Sequence, residues 1–135
     1  MPATGTRRQE ALHRLGLWLA AAEKAVQIHF ELNVRAAGKQ DPEWLNRLQT
    51  QLLGACAALE AVAARAPRAS TSDSISWPGV TLAVVWHFIV ETRAETVPAA
   101  AHPALQAFAA AAERLQEFRA RAPPPWSARA RAAVP

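Results

Sequence analysis

The sequence feature that most constrains the fold is an apolar run near the middle of the chain, Ser74–Val90, with the sequence SISWPGVTLAVVWHFIV. Over positions 80–90, only Thr81 and His87 interrupt the apolar residues. The run is too short to cross a bilayer. A segment that is apolar on all sides has to be buried by the rest of the chain, so we expect the other elements to pack around it.

The start of this run favours a helix over a buried strand. Its β-branched and aromatic residues are compatible with a strand by pattern alone. Ser76, however, is a good N-cap, and Trp77-Pro78 falls in the first turn, where proline is tolerated. We therefore predict a buried central helix.

Two long helices precede the central one. The first is predicted from about Arg7 to Ala37, with Gly38 as its stop, and the second from Asp41-Pro42 to Pro67. The second helix has one dominant stripe, through Leu45, Leu48, Leu52, Ala55, Leu59 and Val62. The first helix has two stripes at helical spacing, one through Leu12, Leu15, Leu19, Ala22 and Val26 and the other through Trp18, Ala21, Ala25, Ile28 and Leu32. Two stripes predict that the first helix packs against more than one neighbour.

Two shorter helices are predicted after the central one. A fourth helix opens at Pro103, and a short fifth helix is anchored by Leu115 and Phe118. The three consecutive prolines at 123–125 cannot continue a helix. The predicted organisation is a flexible lead over 1–6, one all-α domain of about five helices over 7–121, and a Pro/Arg-rich tail over 122–135.

Composition excludes several classes of function. The formal charge is +4, but Arg7, Arg8, Arg119, Arg121, Arg129 and Arg131 lie near the ends, and the other nine basic residues are outnumbered by 11 acidic ones. Nucleic-acid binding requires a basic face that this distribution does not provide, and no segment reaches transmembrane length. The single Cys56 excludes an internal disulfide and fits a reducing compartment. We therefore expect a cytoplasmic protein that binds neither nucleic acid nor membrane.

No catalytic or metal-binding pattern is present in the sequence. The four histidines, His13, His29, His87 and His102, follow no zinc-ligand spacing. His29 and Asn33 are predicted to form a buried hydrogen-bonded pair, and Glu31 and Arg35 an i,i+4 salt bridge. We assign no catalytic, cofactor-binding or metal-binding residue.

Five short motifs, in order along residues 10–121, give the chain a family resemblance. They are Glu23–Arg35, Trp44–Glu60 with its W-x-x-R-x-x-x-Q-L…L-E arrangement, Ser76–Phe88, His102–Leu105 and Glu113–Phe118. Together they resemble the C-terminal all-helical domain of glutathione S-transferases. The chain departs from the family pattern at Gly79, which stands where a capping-box Asp is usual, and at Ala36, Asn46 and Gln116.

The resemblance implies a function and a set of candidate residues. The family's N-terminal thioredoxin-like domain binds glutathione, and no βαβ unit precedes these helices. The chain has no Tyr to activate the thiol. We therefore expect a stand-alone, non-catalytic domain that binds a partner protein or an apolar small molecule, and that uses glutathione only if a thioredoxin-like domain is supplied. The alternative is the helical, hydrophobic-substrate half of a glutathione S-transferase, separated from its catalytic domain.

The same resemblance implies two surfaces. The upper first helix of the family domain faces the substrate cleft, and the corresponding candidates for a hydrophobic pocket are His13, Leu17, Trp18 and Trp86. The family also dimerises through its first two helices. A homodimer is therefore expected, with interface candidates Trp18, Ala21, Ala25, Ile28 and Leu32.

Overall fold

The structure, a computed structural model, describes residues 3–65 and 77–114. The elements are α1 (Ala3–Asn33), α2 (Pro42–Arg65), α3 (Trp77–Arg93) and α4 (Pro103–Glu113), with 3-10 turns at Ala37–Lys39 and Ala99–Ala101. No strand occurs within these two ranges, so the all-α class is confirmed and the apolar run is a helix. The predicted N-cap Ser76, the fifth helix at Leu115 and Phe118, and the tail lie outside the described residues.

The first helix is shifted toward the N-terminus relative to its prediction. It begins at Ala3 rather than near Arg7, so residues 3–6 belong to the helix and not to a flexible lead. It ends at Asn33, because the N–H groups of both Val34 and Arg35 donate to the carbonyl of Phe30. That shared acceptor closes the last turn before Gly38 is reached.

The helices form a ring of neighbours around the core. α1 packs against α2 and α3, and α4 packs against the other sides of α2 and α3. Residues from all four helices meet in one apolar cluster, with Trp18, Ile28, Leu48, Leu52, Leu59, Trp86, Ile89 and Leu105 fully or almost fully buried. Most of the predicted stripe of α2 lies in or against this cluster.

Among the described residues, α3 is less central than predicted. Trp86 and Ile89 are buried in the cluster, but Val84 is 52% exposed and His87 is also exposed. α3 has its main described contacts with α1 and α4 alone. In the described part of the chain α3 is therefore covered by α1 and α4 but keeps an exposed strip at Val84 and His87, which the sequence pattern could not reveal.

Two carboxylates accept hydrogen bonds from backbone N–H groups at the starts of helices that follow them in the sequence. Glu31, which is 2% exposed, accepts hydrogen bonds from the backbone N–H of Asp41 at 2.9 Å and from Arg35 Nε at 2.8 Å. Glu60 on α2 accepts bonds from the N–H groups of Ala104 at 2.8 Å and Leu105 at 2.9 Å. The first N–H groups of a helix have no partner within the helix. Glu60 thus supplies the cap that α4 lacks from its own N-cap residue, His102.

The predicted start of α2 is confirmed in detail. Asp41 Oδ1 accepts hydrogen bonds from the N–H groups of Glu43 at 3.0 Å and Trp44 at 3.1 Å, and Pro42 is the first helical residue. The Glu31–Arg35 salt bridge is also confirmed. Its carboxylate additionally ties the end of α1 to the start of α2, a contact the sequence interpretation missed.

Candidate functional site

The two apolar stripes of α1 differ in their solvent exposure. Trp18, Ala21, Ala25 and Ile28 are between 0% and 2% exposed, because α2 and α3 pack on that side. On the opposite side, Leu12, Leu19, Val26 and Phe30 are each between 51% and 58% exposed. We call this second surface the α1 stripe and define it as Leu12, Leu15, Leu19, Ala22, Val26 and Phe30.

This distribution corrects the predicted dimer-interface residues. Four of the five candidates, Trp18, Ala21, Ala25 and Ile28, fill the core of their own chain and are not available to a second copy. The fifth, Leu32, is 38% exposed. The sequence interpretation identified both stripes but assigned the wrong one to the outer surface.

The α1 stripe has the shape of a helix-packing seam. Its first five residues recur at intervals of three and four, the spacing that places apolar side chains on one line for packing against another helix. Leu12, Leu19, Val26 and Phe30 lie within about 40° of one another around the helix axis, and the stripe is about 27 Å long at the α-helical geometry. Isolated exposed apolar residues are ordinary, but a continuous row marks an interaction surface.

Polar groups lie at the edge and at one end of the stripe. Glu23 borders it, with its side chain 62% exposed, and accepts a hydrogen bond from Gln27 Nε2 at 2.8 Å while Lys24 Nζ lies 3.9 Å away. The exposed Arg8 precedes Leu12 on the same face of the helix. Glu23 is only about 20° around the helix axis from Leu12 and Phe30, so one exposed carboxylate lies beside the stripe between Leu19 and Val26.

The four predicted pocket residues do not converge. Trp18 and Trp86 are 2% and 1% exposed, and each is part of the core. Exposed His13 lines a shallow depression with Thr6, Gln9 and Glu10, and half-buried Leu17, one turn further along α1, is not part of it. The hollow that Trp86 borders contains none of the other three.

Trp86 does border one small hollow between α3 and α4, of about 80 Å³. Its indole Nε1 donates a hydrogen bond to Gln106 Oε1 at 3.1 Å. At the mouth, exposed His87 lies 3.4 Å from Glu91 and 3.7 Å from Glu113. Within residues 3–65 and 77–114, no three His, Cys, Asp or Glu side chains are arranged to hold a metal ion.

The remaining candidate groups have structural contacts. Burial raises the pKa of the Cys56 thiol to about 11, which disfavours the nucleophilic thiolate. His102 is 7% exposed, places its Nδ1 3.2 Å from the carbonyl of Pro98, and tilts against the Trp86 ring at 5.5 Å.

His29 and Asn33 contact each other as predicted, but on the surface. Asn33 Nδ2 donates to the carbonyl of His29 at 2.9 Å and lies 3.4 Å from its Nδ1, and both residues are exposed. Arg93 Nη2 reaches the same His29 Nδ1 at 3.3 Å from the end of α3. Burial lowers the pKa of Arg93. Both residues are exposed, so the predicted burial of the pair is wrong.

None of the described helices is both long enough and apolar enough to cross a membrane. In comparisons with known proteins, no protein-family model matches the sequence, and no curated protein matches it. The candidate functional site therefore rests on the chain's own geometry, in which the α1 stripe contains four exposed large apolar side chains, Leu12, Leu19, Val26 and Phe30.

Proposed function

We propose that this chain is a non-catalytic, cytoplasmic helical module that binds a partner protein through the α1 stripe, on a scaffold resembling the C-terminal domain of glutathione S-transferases. One observation carries the proposal: α1 is apolar on two opposite faces, and its own chain covers one of them. Exposed rows of large apolar side chains are unfavourable in water unless a partner covers them.

A partner protein is favoured over an apolar small molecule. Pockets for such ligands usually enclose about 300–1,000 Å³, whereas the hollow beside Trp86 offers about 80 Å³, and the depression beside His13, about 270 Å³, is open and lined by α1 alone. A linear row of side chains on a convex helix also matches another helix better than it encloses a small ligand.

Site-specific photocrosslinking in cells tests the proposal. A benzophenone amino acid in place of Leu19 should give adducts with a protein, and the same group in place of Val84 should not. Val84 is the matched control, because it is 52% exposed against 56% for Leu19 but lies on α3, away from the stripe. Equal labelling from both positions, or no adduct from position 19, would contradict the proposed function.

The order of the five sequence motifs supports a second candidate, the helical half of a glutathione S-transferase. That candidate requires a thioredoxin-like domain to supply the glutathione site, and none of the described helices offers one. We expect no heat of binding when glutathione is titrated into the purified chain, and no transfer of its thiol to an electrophile. Saturable binding together with turnover by this chain would favour the second candidate over the first.

A further inference from the structure

We infer that the partner of the α1 stripe is a protein with an apolar groove that encloses the N-terminal segment of α1, residues 5–14, and that a carboxylate of this groove pairs with Arg8. This inference rests on the proposed function, since it names the kind of partner that binds the same surface. It is carried by the exposure of the segment on all sides and by its positive charge.

The N-terminal segment of α1 is exposed around its whole circumference. Each side chain that the structure describes over residues 5–14 is exposed, and ten residues make nearly three turns of a helix. Along the described side chains, Leu15 is the first half-buried one and Trp18 the first buried one. Beyond Trp18, α2 and α3 already cover one side of α1. A groove can therefore enclose α1 only over the segment that precedes this covered part.

Three leucines have the spacing of a helix that binds in a groove. Leu12, Leu15 and Leu19 lie at positions i, i+3 and i+7. Amphipathic helices that bind in apolar grooves use anchors at this spacing. Leu12 and Leu19 are exposed, and Leu15 is half-buried. A groove that takes these three side chains would bury the first half of the α1 stripe.

The N-terminal segment differs in charge from the rest of the described chain. Over residues 5–14, three arginines and one glutamate give a formal charge of +2. These residues are Arg7, Arg8, Glu10 and Arg14. Over residues 17–65 and 77–114, seven Lys and Arg residues are outnumbered by eight Asp and Glu residues. A partner that binds the segment is therefore expected to be acidic, because complementary charge speeds association and disfavours partners of like charge.

Arg8 is the charged residue that such a groove would meet. It precedes Leu12 by one turn and lies about 40° from it around the helix axis, and no ion pair joins it to a carboxylate of the described residues. Arg14 lies about 160° from Leu12, and its Nη2 is 3.6 Å from Glu10 Oε2. A helix bound through its leucines would thus present Arg8 to the groove and leave Arg14 in water.

An anionic membrane surface is the other kind of partner that suits a basic helix with an apolar row. The position of Glu23 disfavours it. This exposed carboxylate lies beside the stripe, so a membrane that covered the stripe would place it against headgroups of the same charge. A protein groove over the N-terminal segment and Leu19 ends before Glu23 is reached.

Hydrogen exchange of the purified full chain tests whether the N-terminal segment lacks packing. The amides of residues 8–14 should exchange about a hundredfold faster than those of residues 19–30, because a short helical stretch without tertiary contacts is only marginally stable. Similar protection of the two stretches would show that another part of the chain covers the segment, and would overturn the inference.

Photocrosslinking from two sides of the segment tests the groove. Gln9 and Ala11 are both exposed and flank Leu12, about 60° and 100° away around the helix axis. A benzophenone amino acid at either position should form adducts in cells with the same protein as the probe at Leu19. Adducts from only one of the two positions would indicate a contact on one side of the helix and overturn the groove.

Charge reversal tests the contact of Arg8. With the probe at position 9, Arg8→Glu should lower the adduct yield about fivefold, as expected for replacing one exposed ion pair by a repulsion. Arg14→Glu should lower it less. Arg47→Glu is the control, because Arg47 is exposed on α2, and it should leave the yield unchanged. Equal losses in the Arg8 and Arg14 variants, or no loss in either, would contradict the carboxylate contact.

A vesicle assay tests the membrane alternative. The purified chain should stay in the supernatant when vesicles of phosphatidylcholine and about one-third phosphatidylserine are pelleted. Sedimentation with these vesicles that is lost in Leu12→Glu would identify a membrane as the partner and overturn the inference.

The crosslinking readouts separate this inference from the proposed function. No adduct from position 19 would contradict the proposed function itself. Adducts from position 19 without adducts from positions 9 and 11 would overturn the groove and leave the interaction module standing. Adducts of all three positions with this chain would identify a second copy as the partner and would likewise overturn the inference alone.

Discussion

The two long helices, α1 and α2, differ in how their apolar residues are used. On α2, the four fully buried residues Leu48, Leu52, Cys56 and Leu59 form one face, and neighbouring helices cover it. On α1, a similar buried face is matched by an exposed one on the opposite side. The difference shows that helical periodicity identifies an apolar face without identifying what covers it.

The two helices also differ in the hydrogen bonds that their ends make with neighbouring segments. α2 begins with an N-cap, Asp41, whose side chain satisfies two backbone N–H groups, and near its other end Glu60 satisfies two more at the start of α4. α1 ends with Glu31, which satisfies one N–H at the start of α2. α2 is therefore held within this chain at its face and its ends, whereas α1 has a row of exposed apolar side chains on one face.

The contrast between the faces of α1 is sharpest at two adjacent residues. Trp18→Ala should lower the free energy of unfolding by about 3–5 kcal/mol, because it leaves a cavity in the core. Leu19→Ala should change it by about 0.5 kcal/mol or less at low protein concentration, since Leu19 is exposed within its own chain. Urea denaturation followed by circular dichroism measures both. Similar losses would mean that the stripe is covered within the monomer.

Substitutions at Glu60 test how much its contact with the start of α4 stabilises the protein. Glu60→Ala should cost about 1–3 kcal/mol, because two N–H groups at the start of α4 lose a charged acceptor. Glu60→Gln keeps one oxygen acceptor of nearly the same shape and should lose less. Hydrogen exchange of the Ala104 and Leu105 amides gives a local readout, and unchanged protection in Glu60→Ala would show that Glu60 does not cap α4.

Substitutions at Asp41 test how much the N-cap of α2 stabilises the protein. Asp41→Ala should cost about 1 kcal/mol, the usual effect of removing an N-cap side chain. Asp41→Asn retains an oxygen that can accept the same bonds, so it serves as the matched control and should be close to neutral. A loss in Asp41→Asn equal to that in Asp41→Ala would indicate that charge, and not the cap geometry, is what stabilises this end.

The smallest expected effect is at the start of α3. The helix begins at Trp77, which places Gly79 in its first turn. Gly79→Asp should stabilise the protein by about 0.5–1 kcal/mol, because it removes a flexible residue and adds an acid where the helix dipole favours one. Gly79→Ala isolates the propensity contribution. A lower urea midpoint in the Asp variant than in the Ala variant would contradict the proposed capping role.

Much of the local structure could be predicted because it depends on neighbours in the sequence. Asp41-Pro42 and Pro103 mark helix starts by steric and hydrogen-bonding rules that act within a few residues, and both starts are confirmed. The Glu31–Arg35 pair follows from i,i+4 spacing and is also confirmed. The end of α1 was misplaced, because a shared carbonyl at Phe30, and not Gly38, closes the helix.

The sequence by itself determined that the chain is helical, where three of its four described helices begin, and which faces of them are apolar. Only the tertiary structure decided which apolar face is buried, because burial depends on how many helices surround a given one. That is why the stripe through Trp18 fills the core while the stripe through Leu19 faces outward, and why Val84 and His87 of α3 are exposed within an apolar run. Contacts such as Glu60 with Ala104, 44 residues apart, likewise arise only when packing brings distant segments together.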